Sequence, residues 1–328
     1  MNTANKLSSV AIFVPYFGKL PNYFPLWLRS CRYNPTIDWF IFTDDQTPFD
    51  YPPNVHVEYK SFEDTRSTFQ QHYKFAVALH KDAHKLCDFK VAYGDIFSGY
   101  CRGYDFWGYC DIDLVFGNIR NFITEDILNN HDRIFSLGHL SLFRNTDRIT
   151  HLYRNTINGE PAFEKVFSSA KHYAFDERGP FTIQAICLEN GIRVYEEIVY
   201  ADLRIETHHF ELTHRHIDPR EQRRECTIFR FQRGTLARLY IENNQLEQKE
   251  YLYVHLQSRL MALYLSNTSP ETFLIVPNKF IDYDVMIDIE IVRNHGRYRG
   301  MYFHNVVKVW KARARTTCGR LRRSICGR

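Results

Sequence analysis

No C-x-x-C pair occurs among the eight cysteines, at positions 31, 87, 101, 110, 187, 226, 318 and 326. Their scatter reads as free thiols of a reducing cytoplasm and not as a disulfide framework or a zinc site. No apolar run approaches the roughly 20 residues of a membrane-spanning helix. Met1 to Ser9 is polar and lacks the apolar centre of a secretory signal. The net charge of +4 is too small for a polycation that binds nucleic acid through bulk electrostatics. There is no internal repeat and no low-complexity linker, so one main domain with a C-terminal appendage is the economical division.

What is present begins with aromatic residues, 16% of the chain, with 21 Tyr and 26 Phe. Such side chains suit flat ligands, nucleobases and sugar rings among them, or build a bulky core. The 44% hydrophobic and 24% charged residues are an ordinary globular balance over 328 residues, enough for one large domain or two modest ones. Charge is uneven only at the end. Residues 308–328 hold Lys308, Lys311, Arg313, Arg315, Arg320, Arg322, Arg323 and Arg328 and no acidic residue. With Val306, Val307, Val309 and Trp310 among them, this tail is either a contact for anionic lipid or a solvated tail.

Strand and helix patterns alternate through the first 120 residues. Val10 to Phe17, Ile37 to Asp45 and Pro52 to Tyr59 read as strands, the first ending at Gly18 and Pro21. A helix follows through Trp27 and Leu28. Residues 61–86 read as another, with Phe69, Tyr73, Val77 and His80 on one face, and Phe89 to Arg102 as a third. Asp105 to Gly117 has strand composition. This alternation is the signature of a parallel sheet covered by helices. Further on, Arg133 to Asn145 suggests two short strands broken at Gly138, and Pro180 to Gly191 a helix punctuated by its end residues. Thr227 to Ile241 suggests a hairpin turning at Arg233 and Gly234, and Tyr251 to Leu265 a strand passing into a helix.

The sharpest feature is Asp111-Ile112-Asp113, between Phe106, Trp107 and Tyr109 on one side and Leu114, Val115 and Phe116 on the other. On a strand, i and i+2 point to one face, so both carboxylates reach one point. Two carboxylates carried out of water together need a compensating cation. A hard divalent ion, Mn²⁺ or Mg²⁺, takes carboxylate and phosphate oxygens. In open α/β sheets such a site lies beyond the carboxyl ends of the strands. An Asp pair in a solvated edge turn is the alternative, disfavoured by the apolar flanks.

WGYCDIDLVFG, with VPYFGKLP, FIFTDD, KLCDFKVAYGDIF, GHLSLFRN, FDE and YVHLQSR, resembles a family of largely uncharacterised bacterial proteins of the GT-A glycosyltransferase superfamily. That family is associated with surface polysaccharide synthesis. The resemblance runs in order from about residue 10 to 262. It implies that Pro15, Tyr16 and Phe17 border a nucleotide and that Thr43, Asp44 and Asp45 contact base or ribose, although the two Asp residues also suit a turn or cap. It places Lys90, with Asp88 beside it, near the diphosphate, unless Lys90 is a solvated surface group, and Ile112 beside the donor. It makes His255 the third metal ligand, where a satisfied core histidine is the other possibility. It assigns Asp176 and Glu177 to the acceptor hydroxyl, or to removal of its proton; acidity ahead of a helix starting at Pro180 competes with that reading. His139, Arg144 and Asn145 would line the sugar or acceptor pocket.

The sequence therefore predicts a GT-A-like α/β fold, a mixed sheet flanked by helices, over residues 1–265, with a C-terminal extension over 266–328. The expected activity is metal-dependent transfer of a sugar from a nucleotide-diphosphate donor to a glycan or polyprenyl-linked acceptor in surface polysaccharide synthesis. Partners would be that donor and acceptor and an anionic membrane surface, with no nucleic acid. The location would be cytoplasmic, at the inner face of the membrane. Two other classes fit parts of the pattern: a metal-dependent phosphoesterase or nuclease, and a non-catalytic carbohydrate-binding protein.

Overall fold

A computed structural model describes residues 7–79, 83–205, 207, 209–213, 226–283, 286–296 and 307. His80 and nearly all of the basic tail lie outside them. The chain forms two compact units, Met1–Leu114 with Ile119–Ile198, and Val115–Asn118 with Val199–Arg328.

The first unit opens with β1 (Val10–Pro15), whose first five residues are buried. Helix α1 (Phe24–Arg32) follows, with a proline in its first turn and Phe24 stacked on Trp27. Next come β2 (Ile37–Thr43) and β3 (Val55–Tyr59). Helix α2 (Phe62–His72) starts from a capping box in which Ser61 and Asp64 each accept the other's backbone N–H. It stops well short of residue 86. Tyr73 is extended, and the Gln70 side chain binds the Phe75 carbonyl and the Val77 N–H, holding the chain off the helix. Phe69, Tyr73 and Val77 are buried all the same. The expected helix at Phe89–Arg102 is instead a 3₁₀ helix, Ala83–Ala92, leading into the short α3 (Tyr93–Ile96).

The expected single strand at Asp105–Gly117 is two, β4 (Phe106–Cys110) and β5 (Leu114–Phe116). After α4 (Glu125–Asn130), β6 (Arg133–Leu137) and β7 (Leu140–Arg144) are the anticipated two strands broken at Gly138, and they pair antiparallel. Short helices α5 (Asp147–Thr150) and α6 (Ala162–Phe167) lead to α7 (Ile183–Glu189), which Gly191 follows with φ +60°. With β8 (Val194–Tyr195) the sheet is complete, in the order β3-β2-β1-β4-β7-β6-β8. Strands β3, β2, β1 and β4 run parallel, and β7 is antiparallel to both β4 and β6. This is the mixed α/β sheet the sequence predicts. An aromatic-rich core, with Phe13, Phe42, Phe69, Phe97, Trp107 and Phe143 among its members, accounts for much of the high aromatic content.

In the second unit, β9 (Ala201–Asp202) precedes the hairpin of β10 (Ile228–Gln232) and β11 (Thr235–Glu242). Arg233 and Gly234 both take positive φ, as a two-residue turn of this kind requires. Strands β12 (Gln245–Glu250), β13 (Tyr253–His255), β14 (Ala262–Tyr264), β15 (Thr272–Val276) and β16 (Lys279–Asp282) follow, then α8 (Ile289–His295). They make a six-stranded sheet, β12-β11-β10-β15-β16-β14, and a three-stranded one, β5-β13-β9. Position 265 falls inside the larger sheet, between β14 and β15. The helix expected after His255 does not form, because Gln257 and Ser258 adopt left-handed φ and Arg259 is buried against the Asn278 side chain.

Candidate active site

The parallel strands of the first unit deliver their carboxyl ends to one edge. The register pairs Pro15 with Phe42 and Phe13 with Tyr109, so the residues after β1, β2 and β4 emerge together. Because β7 is antiparallel and pairs Leu140 with Cys110, the Gly138–His139 turn joins the same edge.

Asp111 and Asp113 leave the sheet here in a bend, not on a strand. Strand β4 runs out of partners: β1 ends at a proline, which has no N–H to continue the ladder, and β7 begins only at Leu140. The Asp111 N–H makes a last bond to the His139 carbonyl. The i, i+2 alternation thus fails, but the two carboxylates still meet, an oxygen of each lying within 4.8 Å of the other. Asp113 and Ile112 are buried and Asp111 is half-buried. The Tyr16 and Tyr23 hydroxyls are pushed up by burial first and by the Asp113 charge second, which sets Asp113 beside the loop after β1.

Lys90 is a buried cation of this edge. Its ammonium lies 2.6 Å from Asp111 Oδ1, donates to the Gly138 carbonyl at 2.8 Å and stands 3.5 Å from Asp176 Oδ2. Burial alone would depress its pKa; the Asp111 carboxylate, with Asp176, outweighs that and holds it well above the ordinary lysine value. Asp176 is buried, and desolvation foremost, with Glu177 and Asp111 adding repulsion against the attraction of Lys90, raises its carboxyl to about 7. Gly138 makes room for this group, since a Cβ there would stand 2.3 Å from Asp176 Oδ2 and 2.7 Å from Glu177 Oε1. His139 is buried beside it in sequence.

Asp44 and Asp45 tie loops together. Asp44 accepts the Gly18 N–H at 2.7 Å, and Asp45 accepts those of Leu20 and Thr47 and the Thr47 hydroxyl. These bonds, the Thr47 hydroxyl first, lower the Asp45 pKa. Thr43 is buried and its hydroxyl accepts the Asp45 N–H, while Phe17 packs edge-on to Phe62.

Three of the expected site residues have framework partners and lie away from this cluster or point out of it. Asp88 points into the framework: fully buried, it holds Lys85 at 2.7 Å and accepts the N–H groups of Tyr173 and Phe175. Arg144 and Asn145 lie at the opposite edge of the sheet, because Arg144 pairs with Phe106 at the start of β4, four residues or roughly 13 Å from Cys110. Arg144 binds the Leu128 and His131 carbonyls at the end of α4, and Asn145 those of Cys101 and Tyr104.

In the second unit, His255 is buried at the end of β13, with Nδ1 2.7 Å from Asp202 Oδ1 on the paired strand β9. Asp202 is also bound by Gln257 and Thr213. A carboxylate on one imidazole nitrogen fixes the ring and raises the basicity of the other, the usual support of a metal-binding histidine. No spacing in the sequence marks Asp202. The cysteines among the described residues are free thiols, and no helix among these residues is long and apolar enough to cross a membrane.

A family of unknown function, DUF6625, matches residues 12–284. No curated protein matches the sequence. Among solved structures the chain is similar to the galactosyltransferase LgtC, in complex with donor and acceptor sugar analogues, at 10% identity and a TM-score of 0.35, over 65% of this chain and 82% of that one. It is similar to mouse xyloside xylosyltransferase 1 at 10% identity and a TM-score of 0.36, over 60% and 87%. Similarity to the glycosyltransferase GlyE of Streptococcus pneumoniae TIGR4, at 10% and 0.32, covers 59% of this chain and under half, 46%, of that one.

Proposed function

The chain belongs to the DUF6625 family, a family of unknown function, and we propose that it is a metal-dependent glycosyltransferase using a nucleotide-diphosphate sugar. The observation that carries this reading is the meeting of Asp111 and Asp113 at the carboxyl edge of the parallel strands. Two carboxylates there, one of them buried, suit a hard divalent cation, Mn²⁺ or Mg²⁺. Such an ion, when bound, offsets the negative charge that builds on the diphosphate as the bond to the sugar breaks. The motif resemblance from residue 10 to 262 points the same way.

The chain's own residues then divide the work. The loop after β1, with Pro15, Tyr16 and Phe17, and the end of β2 at Thr43 receive the nucleotide. Asp44 and Asp45 shape that loop through its backbone N–H groups. Lys90 balances Asp111 when no ligand is present and faces the diphosphate when one is. Asp176, half-protonated near neutral pH, with Glu177 beside it, holds or accepts the proton of the acceptor hydroxyl. His139 borders the same edge. Assignment of His255 as a further metal ligand rests on the sequence resemblance and on its pairing with Asp202. A glycan or polyprenyl-linked acceptor, surface polysaccharide synthesis and a membrane-facing basic tail complete the proposal.

The test is a thermal-shift panel of UDP-, GDP-, CMP- and dTDP-sugars, each with and without Mn²⁺, on the native chain and an Asp111→Ala/Asp113→Ala variant. A ligand that binds only the folded state raises the melting temperature by mass action. Metal-dependent stabilisation by one donor, lost in the variant, supports the transferase. No response to any donor from a folded protein overturns it. Stabilisation by glycans that survives in the variant would favour a carbohydrate-binding protein.

A further inference from the structure

His84, Cys87 and His172, all in the first unit, bring one nitrogen, one sulfur and one nitrogen within 4.8 Å of one another. His84 and Cys87 are three residues apart on the 3₁₀ helix Ala83–Ala92. In that geometry residues i and i+3 eclipse, so the two side chains rise from the same line. His172 comes from the 171–175 segment, and its ring packs against that of His84 with centroids 4.5 Å apart.

The frame that holds these three is fixed from beneath. Lys85 donates to the carbonyl of Lys171, and Asp88 accepts the N–H groups of Tyr173 and Phe175. The backbone on both sides of His172 is therefore tied to the helix that carries His84 and Cys87. Asp88 also stands 3.8 Å from His172 Nε2 as a neighbouring anion. The two histidines are exposed and Cys87 is half-buried, so the cluster opens to solvent.

We propose that His84, Cys87 and His172 form a binding site for a soft divalent transition metal, Zn²⁺ in the first place, with water as the fourth ligand. Two imidazoles and a thiolate are a zinc donor set and unlike the all-oxygen environment that Mg²⁺ and Mn²⁺ select. A tetrahedral ion at ordinary Zn–N and Zn–S lengths holds its ligands about 3–4 Å apart, so three atoms within 4.8 Å of one another are near that spacing. Binding displaces the Cys87 thiol proton to solvent and forms a Zn–S bond; no oxidation is involved. The ion would clip the 171–175 segment to the 3₁₀ helix one turn before Lys90 and just ahead of Asp176, stiffening the edge at which both act. The site does not depend on the transferase reading.

The test uses the full chain, stripped with a chelator and titrated with Co²⁺ as a spectroscopic stand-in for Zn²⁺. One equivalent should bring a thiolate-to-cobalt band in the near ultraviolet with intense tetrahedral bands in the visible, both bleached by Zn²⁺. Cys87→Ser should abolish the thiolate band, and His172→Gln should weaken Co²⁺ binding by about tenfold or more. Asp111→Asn/Asp113→Asn should leave the spectrum unchanged, which separates this ion from one at the carboxylate pair. Absence of the thiolate band at one equivalent, or its persistence in Cys87→Ser, overturns the proposal; so does full-strength binding by His172→Gln.

Discussion

The Lys90 ammonium and the Asp111 carboxylate form an ion pair of 2.6 Å at the sheet edge, with the lysine more buried than its partner. The lysine thus sits where a divalent cation would draw on the same oxygen. A divalent ion bound there would add its charge beside an ammonium that already neutralises Asp111, so on the proposed reading the pair opposes metal binding.

Lys90→Met removes that competitor. In metal-free buffer the variant should lose about 1–3 kcal/mol of stability, since Asp111 and the Gly138 carbonyl each lose a charged donor and Asp111 keeps partial access to water. Its affinity for Mn²⁺, followed by the electron paramagnetic resonance of the free ion, should rise several-fold. An unchanged or weaker affinity would mean that Lys90 does not contend with metal for Asp111.

Asp176 makes stability depend on pH in a defined sense. Burial raises its carboxyl from the ordinary 3.8 to about 7 in the folded chain. Between those values the folded state holds more protons than the unfolded one, so its contribution to stability is fully present below pH 4 and falls as pH rises to about 7. Asp176→Asn abolishes that fall. The melting temperature of the variant relative to the native chain should climb across pH 4–7 and level off above it. Parallel curves would remove the raised pKa, and with it the proton-holding role.

Asp88 separates framework from ligand contact. Asp88→Ala leaves the buried Lys85 ammonium with two carbonyl acceptors but no counter-charge and strips two backbone N–H groups of their acceptor, at a cost of about 3–5 kcal/mol in urea unfolding. Loss of donor binding with stability intact would instead return Asp88 to the donor site.

Gly94 lies against the indole of Trp107, where an added Cβ would stand 2.2 Å from the ring. Trp107 is fully buried, stacked on Phe143 and bonded to Thr150, so it has no room to retreat. Gly94→Ala should cost about 1–3 kcal/mol or more and lower the melting temperature, while Gly99→Ala, with open space around it, should not.

The succession of the first strands along the chain and their parallel sheet were legible because buried parallel strands are nearly continuous apolar runs, and β1 and β4 are of that kind. The turn at Arg233 and Gly234 was legible from its glycine. The break between β4 and β5 was not, because Phe106 to Phe116 has strand composition throughout and only the loss of neighbours ends the ladder. Helix α2 was overextended for a related reason: Phe69, Tyr73 and Val77 satisfy helical spacing, but burial also accepts them on extended chain once Gln70 holds the exit. Arg144 and Asn145 followed His139 too closely in sequence for their remoteness to show, since a strand lies between them. The cluster of His84, Cys87 and His172 was not legible because no C-x-x-C spacing marks it and His172 is 85 residues from Cys87.

The passage of Val115–Asn118 into the second unit, with return to the first at Ile119, has a consequence for how the chain can be made and divided. No single cut yields two intact pieces: a fragment ending at residue 198 would carry Leu114–Phe116 without β13, the strand beside it in its sheet. During synthesis the same three residues emerge long before Tyr253–His255 exist, so the nascent chain carries an unpaired apolar strand for more than a hundred residues of elongation. Homologous exchange of one unit between relatives would have to replace that short strand as well.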